Sequence, residues 1–204
     1  MLEIECFTGG IASTNGYACT AGEATFVVDA PEGMTKWLES TGFTPQALLL
    51  THAHFDHVLD AAQIQDRWSI PTYAFAQPTP ELTLEAMIGS FGTMAIAPYK
   101  VDHLVEEGVP MVFGGLTFEI LHIPGHSPDS VVFHPQGRFK VFGGDVLMQG
   151  GVGRSDLPGG DEELLLKGIR EKLYALDDDI TVLSGHGEPT TIGVEKRTNP
   201  FVRG

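Results

Sequence analysis

Positive charge is the first thing this 204-residue sequence is short of. Twelve lysines and arginines stand against 27 aspartates and glutamates, so the formal charge is 12 − 27 = −15. Binding a phosphate backbone needs a basic surface, so a nucleic-acid partner is not expected, and a nuclease activity is disfavoured with it. Cysteine is equally scarce. Cys6 and Cys19 are the two present, too few for a disulfide framework, and their apolar or β-like surroundings read as those of buried thiols. Long hydrophobic runs are missing as well. No stretch approaches the ~18 apolar residues of a membrane span, and Met1-Leu2-Glu3-Ile4-Glu5 carries acids where a signal segment carries basic and then apolar residues. No membrane partner is expected, and the default location is cytoplasmic. With 42% hydrophobic and 19% charged residues, what remains is an ordinary globular composition, long enough for one domain (1–204) with a sizeable core.

Histidine is abundant in one place. Thr51-His52-Ala53-His54-Phe55-Asp56-His57 follows the apolar run Ala47-Leu48-Leu49-Leu50, which reads as a buried strand. A helix is expected from Val58 to Trp68. Imidazole nitrogen and carboxylate oxygen suit borderline divalent metals. His52 and His54, two apart on an extended segment, point the same way. Asp56 and His57 lie past the bend and can approach the same cavity from another wall, so one segment can serve two ions. His126 (Ile123-Pro124-Gly125-His126), Asp145 (Gly143-Gly144-Asp145) and His186 (Ser184-Gly185-His186) each follow a strand-like run beside a glycine that lets backbone come close. Strand ends meeting on one rim are where α/β proteins place their sites.

His52-x-His54-x-Asp56-His57, with His126, Asp145 and His186 at later strand ends, resembles the ligand set of the metallo-β-lactamase-fold hydrolases. Asp145 resembles the bridging carboxylate of their glyoxalase II (hydroxyacylglutathione hydrolase) branch, a bridge that two-zinc β-lactamases generally lack. The resemblance implies an αββα sandwich, two mixed β-sheets flanked by helices. His52, His54 and His126 would hold one metal, Asp56, His57 and His186 the other, and Asp145 both. Two divalent ions are implied, zinc first, with iron or manganese also suited to all-N/O ligation. Water between them, its pKa lowered from ~15.7 toward ~7, would attack as hydroxide the carbonyl of a small-molecule thioester. Asp56 would also orient it. Asp29, after another strand, matches a residue that braces the site in that family, and it also suits a helix cap.

The run Gly153-Arg154-Ser155-Asp156-Leu157-Pro158 resembles a loop of the short, single-domain glyoxalase II-like proteins. Arg154 matches a basic residue that binds glutathione in the longer enzymes, while Asp156 replaces an aromatic and would repel the glycine carboxylate of glutathione. The chain ends at Gly204 without the helical part that completes the usual glutathione site. Arg154 either contacts substrate or pairs with Asp156. A related loop occurs in persulfide dioxygenases, where one iron is held by two histidines and an aspartate, here matched by His52, His126 and Asp145; Val152 stands where those enzymes carry a cysteine. Hydrolysis of another ester, such as a lactone, is a further alternative.

Elsewhere, Leu2–Phe7 reads as the opening strand. Gly9-Gly10 and Asn15-Gly16 break it before a hairpin of Tyr17–Thr20 and Thr25–Val28. A helix is expected over Glu32–Ser40, with Trp37 and Leu38 inward, and a strand over Ile70–Phe75. Thr79–Ser90 is helical in pattern, and Ile88–Tyr99 is either a lid or a packed connection. Strands are expected within Val109–Glu119, His122 included in the run to Leu116–His122, within Val131–Phe142, and over Thr181–Leu183. A helix over Asp161–Leu176 has Asp161 as its cap. His103 reads as structural, His122 as core or supporting, and His134 as part of a solvent-facing turn.

Overall fold

In the computed structural model, which describes residues 1–88 and 95–204, the alternating opening segment forms β1 (Leu2–Gly9). It pairs antiparallel with β2 (Thr14–Ala21), and β2 with β3 (Ala24–Val28). The second hairpin turns on Gly22-Glu23, where Gly22 has φ +66°, the left-handed backbone that two-residue turns require. The expected break at Asn15-Gly16 is absent, since β2 runs through it. A side chain at Gly16 would meet Met34 Sδ at 2.6 Å, so this glycine serves close packing rather than a turn.

From β3 onward the first sheet is parallel. β4 (Leu48–Leu49), β5 (Thr72–Ala74) and β6 (His103–Leu104) follow in chain order, giving six strands in the order β1-β2-β3-β4-β5-β6. Parallel neighbours need crossovers, and each of the three carries helix. α1 (Met34–Thr41) ends on left-handed Gly42, whose N–H reaches the carbonyls of Glu39 and Leu38, a common helix stop. The helix expected from Val58 to Trp68 is two pieces, α2 (Phe55–Val58) and α3 (Ala61–Trp68). Asp60 makes the break: its carboxylate accepts from the Thr35 amide at 2.8 Å and Gln63 at 3.1 Å, and its own N–H goes to Ala30 O. Met34 and Leu38 from α1, and Ala61 and Ile64 from α3, are fully buried with Val27, Leu48 and Leu50.

Between β5 and β6 the expected helix over Thr79–Ser90 shrinks to α4 (Glu85–Ile88), preceded by turns and by Leu84 at φ +57°. Of the lid expected over Ile88–Tyr99, residues 89–94 lie outside the described residues. His103 stacks on Tyr73 with ring centroids 4.6 Å apart, a structural role. Cys19 is buried, but Cys6 is exposed, correcting the expectation of two buried thiols; β1 is an edge strand, with one face left to solvent.

These elements make up a compact unit, residues 1–105; residues 106–204 form a second. The second sheet contains β7 (Met111–Phe113), β8 (Leu116–His122), β9 (Val131–Pro135), β10 (Lys140–Gly144), β13 (Thr181–Ser184) and β14 (Thr190–Thr191), in the order β14-β13-β10-β9-β8-β7. The β10–β13 pair is parallel and the others antiparallel. A small hairpin, β11 (Leu147–Met148) and β12 (Gly151–Val152), leaves the end of β10. α5 (Glu162–Glu171) has the expected cap, Asp161 accepting from the Leu164 amide at 3.0 Å. Its Leu165 and Ile169 pack on Leu121, Val132, Val141 and Val182. α6 (Ile192–Thr198) was not anticipated. His134 belongs to β9, opposite Glu119, rather than to the turn that follows it.

Both sheets are mixed and carry helices, as expected for the fold class. Leu38→Ala removes a fully buried side chain and should destabilise the protein by about 3 kcal/mol, read from denaturant unfolding; a loss within experimental error of zero would show that α1 does not close this core.

Candidate metal centre

Parallel strands end at the same edge of a sheet, and this places the polar residues. In the first unit Asp29 follows β3 and Thr51 follows β4, and the ends are tied by Asp29 N–H to Leu49 O at 2.8 Å. Asp29 has φ +59°, a backbone that aspartate tolerates better than most residues. It does not cap α1, whose N-cap is Gly33. Its carboxylate instead gathers the start of the histidine segment. Oδ1 accepts from the Thr51 amide at 2.8 Å; Oδ2 accepts from Thr51 Oγ1 at 2.8 Å and from His57 Nδ1 at 2.9 Å.

Those bonds determine where the ring protons sit. A carboxylate only accepts, so His57 carries its proton on Nδ1 and, as a neutral ring, presents a lone pair at Nε2. The Thr51 hydroxyl spends its one proton on Asp29 and therefore accepts from His52 Nδ1, 3.1 Å away. His52 then also presents Nε2 as a lone pair. Asp29 thus sets two imidazoles, one directly and one through Thr51. The His52 ring lies edge-on to His54, centroids 4.6 Å apart, and 4.1 Å from the His57 ring. All three histidines are buried. His57 Nε2 faces Asp56 Oδ2 at 3.5 Å, and that same oxygen accepts from Thr14 Oγ1 at 2.7 Å.

In the second unit β8, β10 and β13 run in one direction, so His126, Asp145 and His186 follow strand ends at one edge. Gly185 N–H to Gly144 O at 2.8 Å ties two of these ends. His126 Nδ1 lies 2.7 Å from the Arg154 carbonyl, which can only accept, so Nε2 is again the lone pair. It faces Asp145 Oδ2 at 3.5 Å, and His186 Nε2 faces the same oxygen at 3.2 Å. Gly153 makes the approach possible: a Cβ there would collide with Asp145 O and sit 3.0 Å from the His126 ring and Cβ.

A lone pair on His126 Nε2 and a carboxylate oxygen repel at such a distance in a buried place, unless a cation lies between them. The same holds for His57 Nε2 and Asp56 Oδ2. Donors sharing one tetrahedral ion on ~2.0–2.2 Å bonds stand roughly 3.3–3.5 Å apart, which these separations match. Imidazole and carboxylate are also the donor types for zinc, iron and manganese. The residues present in each unit therefore fit a divalent ion.

Arg154 is engaged elsewhere. Its Nε and Nη2 donate to the two oxygens of Asp156 at 2.8 and 2.7 Å, with both side chains exposed. Arg154 holds the Asp156 carboxyl down at about 2. His122 Nε2 donates to Pro128 O, 2.8 Å away, a supporting position. Thr14, Thr51 and the Arg154 carbonyl were not identified from the sequence. Only for Thr51, beside the histidine run, was there a local signal.

A family model for the metallo-beta-lactamase superfamily matches residues 13–186, and the chain belongs to that superfamily, a class of metal-dependent hydrolases. "Hydroxyacylglutathione hydrolase GloC" of Haemophilus influenzae is 40% identical over 174 residues, 84% of this chain and 82% of its own. Among solved structures, TTHA1623 in a di-iron-bound form has a TM-score of 0.85 at 37% identity, over 97% of this chain and 100% of that one. BLEG-1, described as a B3 metallo-beta-lactamase, has a TM-score of 0.90 at 36% identity, over 99% and 100%. Among the described residues, no helix is long and apolar enough to cross a membrane.

Two outcomes follow from the bonding. Thr51→Val removes the acceptor from His52 Nδ1, so ¹⁵N NMR of the metal-free protein should show His52 shifting from one tautomer to a mixture while His57 keeps its own; an unchanged His52 would disprove the relay. For Arg154→Ala, Asp156 should titrate back near the ordinary ~3.9. In the native chain its depressed pKa means that the pairing contributes fully above that value and is lost as pH falls through about 2.

Proposed function

We propose that the chain is a binuclear-metal thioester hydrolase of the glyoxalase II type, with its two units acting as one catalytic domain. His52, His54 and His126 would hold one ion, Asp56, His57 and His186 the second, and Asp145 would touch both. The observation that carries this is Asp145 Oδ2, set 3.5 Å from His126 Nε2 and 3.2 Å from His186 Nε2. One carboxylate standing beside two imidazoles is what a bridge between ions needs. The family match, which runs across the boundary between the units, supports a shared site.

When bound, two divalent ions lower the pKa of water toward neutrality and polarise a carbonyl. Asp56, positioned by the Thr14 hydroxyl, orients the attacking water. Water adds to the acyl carbon, the C–S bond breaks, and a carboxylate and a thiolate depart while the two protons of the water pass to solvent. A thiol of pKa ~8.5 leaves without a proton donor, whereas an amide nitrogen needs one, so a thioester asks least of these residues. The relative named a hydroxyacylglutathione hydrolase supports that substrate class. Glutathione thioesters are the best specific choice, with Arg154 as the contact once Asp156 releases it. Zinc is the first choice of metal, and the di-iron form of TTHA1623 supports iron as the alternative. A mononuclear-iron persulfide dioxygenase and hydrolysis of another ester are the alternatives; the likeness to BLEG-1 adds β-lactam hydrolysis as a reading to test, with the bridging role of Asp145 counting against it.

Metal content per chain, measured on one sample with thioester cleavage, β-lactam cleavage and persulfide-dependent oxygen uptake, decides among these. Two metals with thioesterase activity is the expected result. One iron with oxygen uptake, matching His52, His126 and Asp145 as the ligands, would overturn it. Asp145→Ala should lose metal and at least 100-fold in kcat/KM, in line with the ~10²–10³ typical when a stabilising group is removed; retained turnover would remove the bridge from the mechanism.

A further inference from the structure

We infer that Glu195, on α6, is a positioning residue for the ligands of the second unit, acting through the β11–β12 hairpin; this rests on the ligand assignment proposed above. Glu195 is 1% exposed, yet it lies on the last helix of the chain and belongs to no motif. Its Oε1 accepts from Thr190 Oγ1 at 2.5 Å. Its Oε2 accepts from the Gly150 amide at 3.0 Å and from Asn199 Nδ2 at 2.8 Å. Asn199 Nδ2 donates also to Gly151 O at 3.0 Å. Two residues of α6 and its C-cap thereby grip consecutive residues at the tip of one hairpin.

Both ends of that hairpin reach the ligands. Its first strand begins two residues after Asp145. Its second strand runs into Gly153, packed on Asp145 O and His126, and then into Arg154, whose carbonyl accepts the hydrogen bond from His126 Nδ1. A third tie, Ser184 Oγ to Leu147 O at 2.8 Å, comes from two residues before His186. A hairpin with strands of two residues is not stable by itself. Without the grip at its tip, the Arg154 carbonyl is free to drift, and His126 loses the bond that holds its tautomer. Groups that orient ligands from behind typically matter 10- to 100-fold in metal affinity.

Four variants separate this from simple stability. Glu195→Asp keeps the charge but is one methylene too short to span Thr190 and Gly150 together. Glu195→Ala removes the grip, and Glu195→Gln retains an acceptor for Gly150 and Asn199 while its amide donates to the Thr190 hydroxyl. Phe118→Leu, at a fully buried side chain of β8 set against Phe133 and outside the cluster that holds Leu147 and Val152, lowers stability elsewhere in the second unit. Zinc titration of the apo-protein well below each Tm should show affinity about 10-fold weaker in Glu195→Asp and Glu195→Ala, and within twofold of wild type in Glu195→Gln and Phe118→Leu. Amide exchange at Gly150 to Arg154 should speed up in the first two alone. Wild-type affinity and exchange in Glu195→Asp, or equal weakening in Phe118→Leu, overturns the inference. If His126→Ala and Asp145→Ala leave zinc binding intact, it is the ligand assignment that fails instead.

Discussion

An imidazole is a useful metal ligand only when its proton is kept on the other nitrogen, and much of this structure serves that constraint. His57 is held by Asp29, His52 by Asp29 through the Thr51 hydroxyl, and His126 by the Arg154 carbonyl. Each bond is made at Nδ1 to a group that has no proton to give back, so each Nε2 is left as a donor of electrons. A buried lone pair facing a carboxylate is unfavourable in the bare protein. The fold tolerates the arrangement because strands, a left-handed aspartate and a collision-limited glycine hold the atoms in place from behind.

The two units reach similar local solutions by different topologies. In the first, neighbouring parallel strands β3 and β4 carry Asp29 and Thr51 to one edge. In the second, β8, β10 and β13 share a direction although antiparallel β9 intervenes, and they carry His126, Asp145 and His186 to one edge. A strand that ends in glycine can hand its next residue to a site without a neighbouring Cβ in the way. Gly153 next to His126 and Asp145 is the tightest case, because substitution there would displace backbone.

The loop after β12 joins an exposed ion pair to this support. The carbonyl of Arg154 orders a histidine while its guanidinium is neutralised by Asp156 two residues on. Loop conformation and side-chain charge are therefore coupled in one residue. A bidentate pair in solvent is worth little in stability, but it pre-sets which ligands Arg154 can meet. This is also where the two-sided expectation for Arg154 finds its physical basis: pairing with Asp156 is present, and contact with substrate requires that pair to open.

Local chemistry made a good deal legible in advance. Residue types packed into Thr51–His57, glycine-flanked residues after apolar runs, the hairpin of Tyr17–Thr20 and Thr25–Val28, and the Asp161 cap depend on neighbours in the sequence, and the hairpin and the cap appear in the structure as the residues suggested. The elements that were misjudged depend on distant residues. The helix breaks at Asp60 because of Thr35, the strand continues through Gly16 because of Met34, and Cys6 is exposed because β1 lies at an edge. Thr14, the Arg154 carbonyl and Glu195 were invisible for the same reason. Residue type and spacing decide which atoms are able to bind a metal; only folding decides which proton each imidazole keeps, since the acceptors lie up to 28 positions away along the chain.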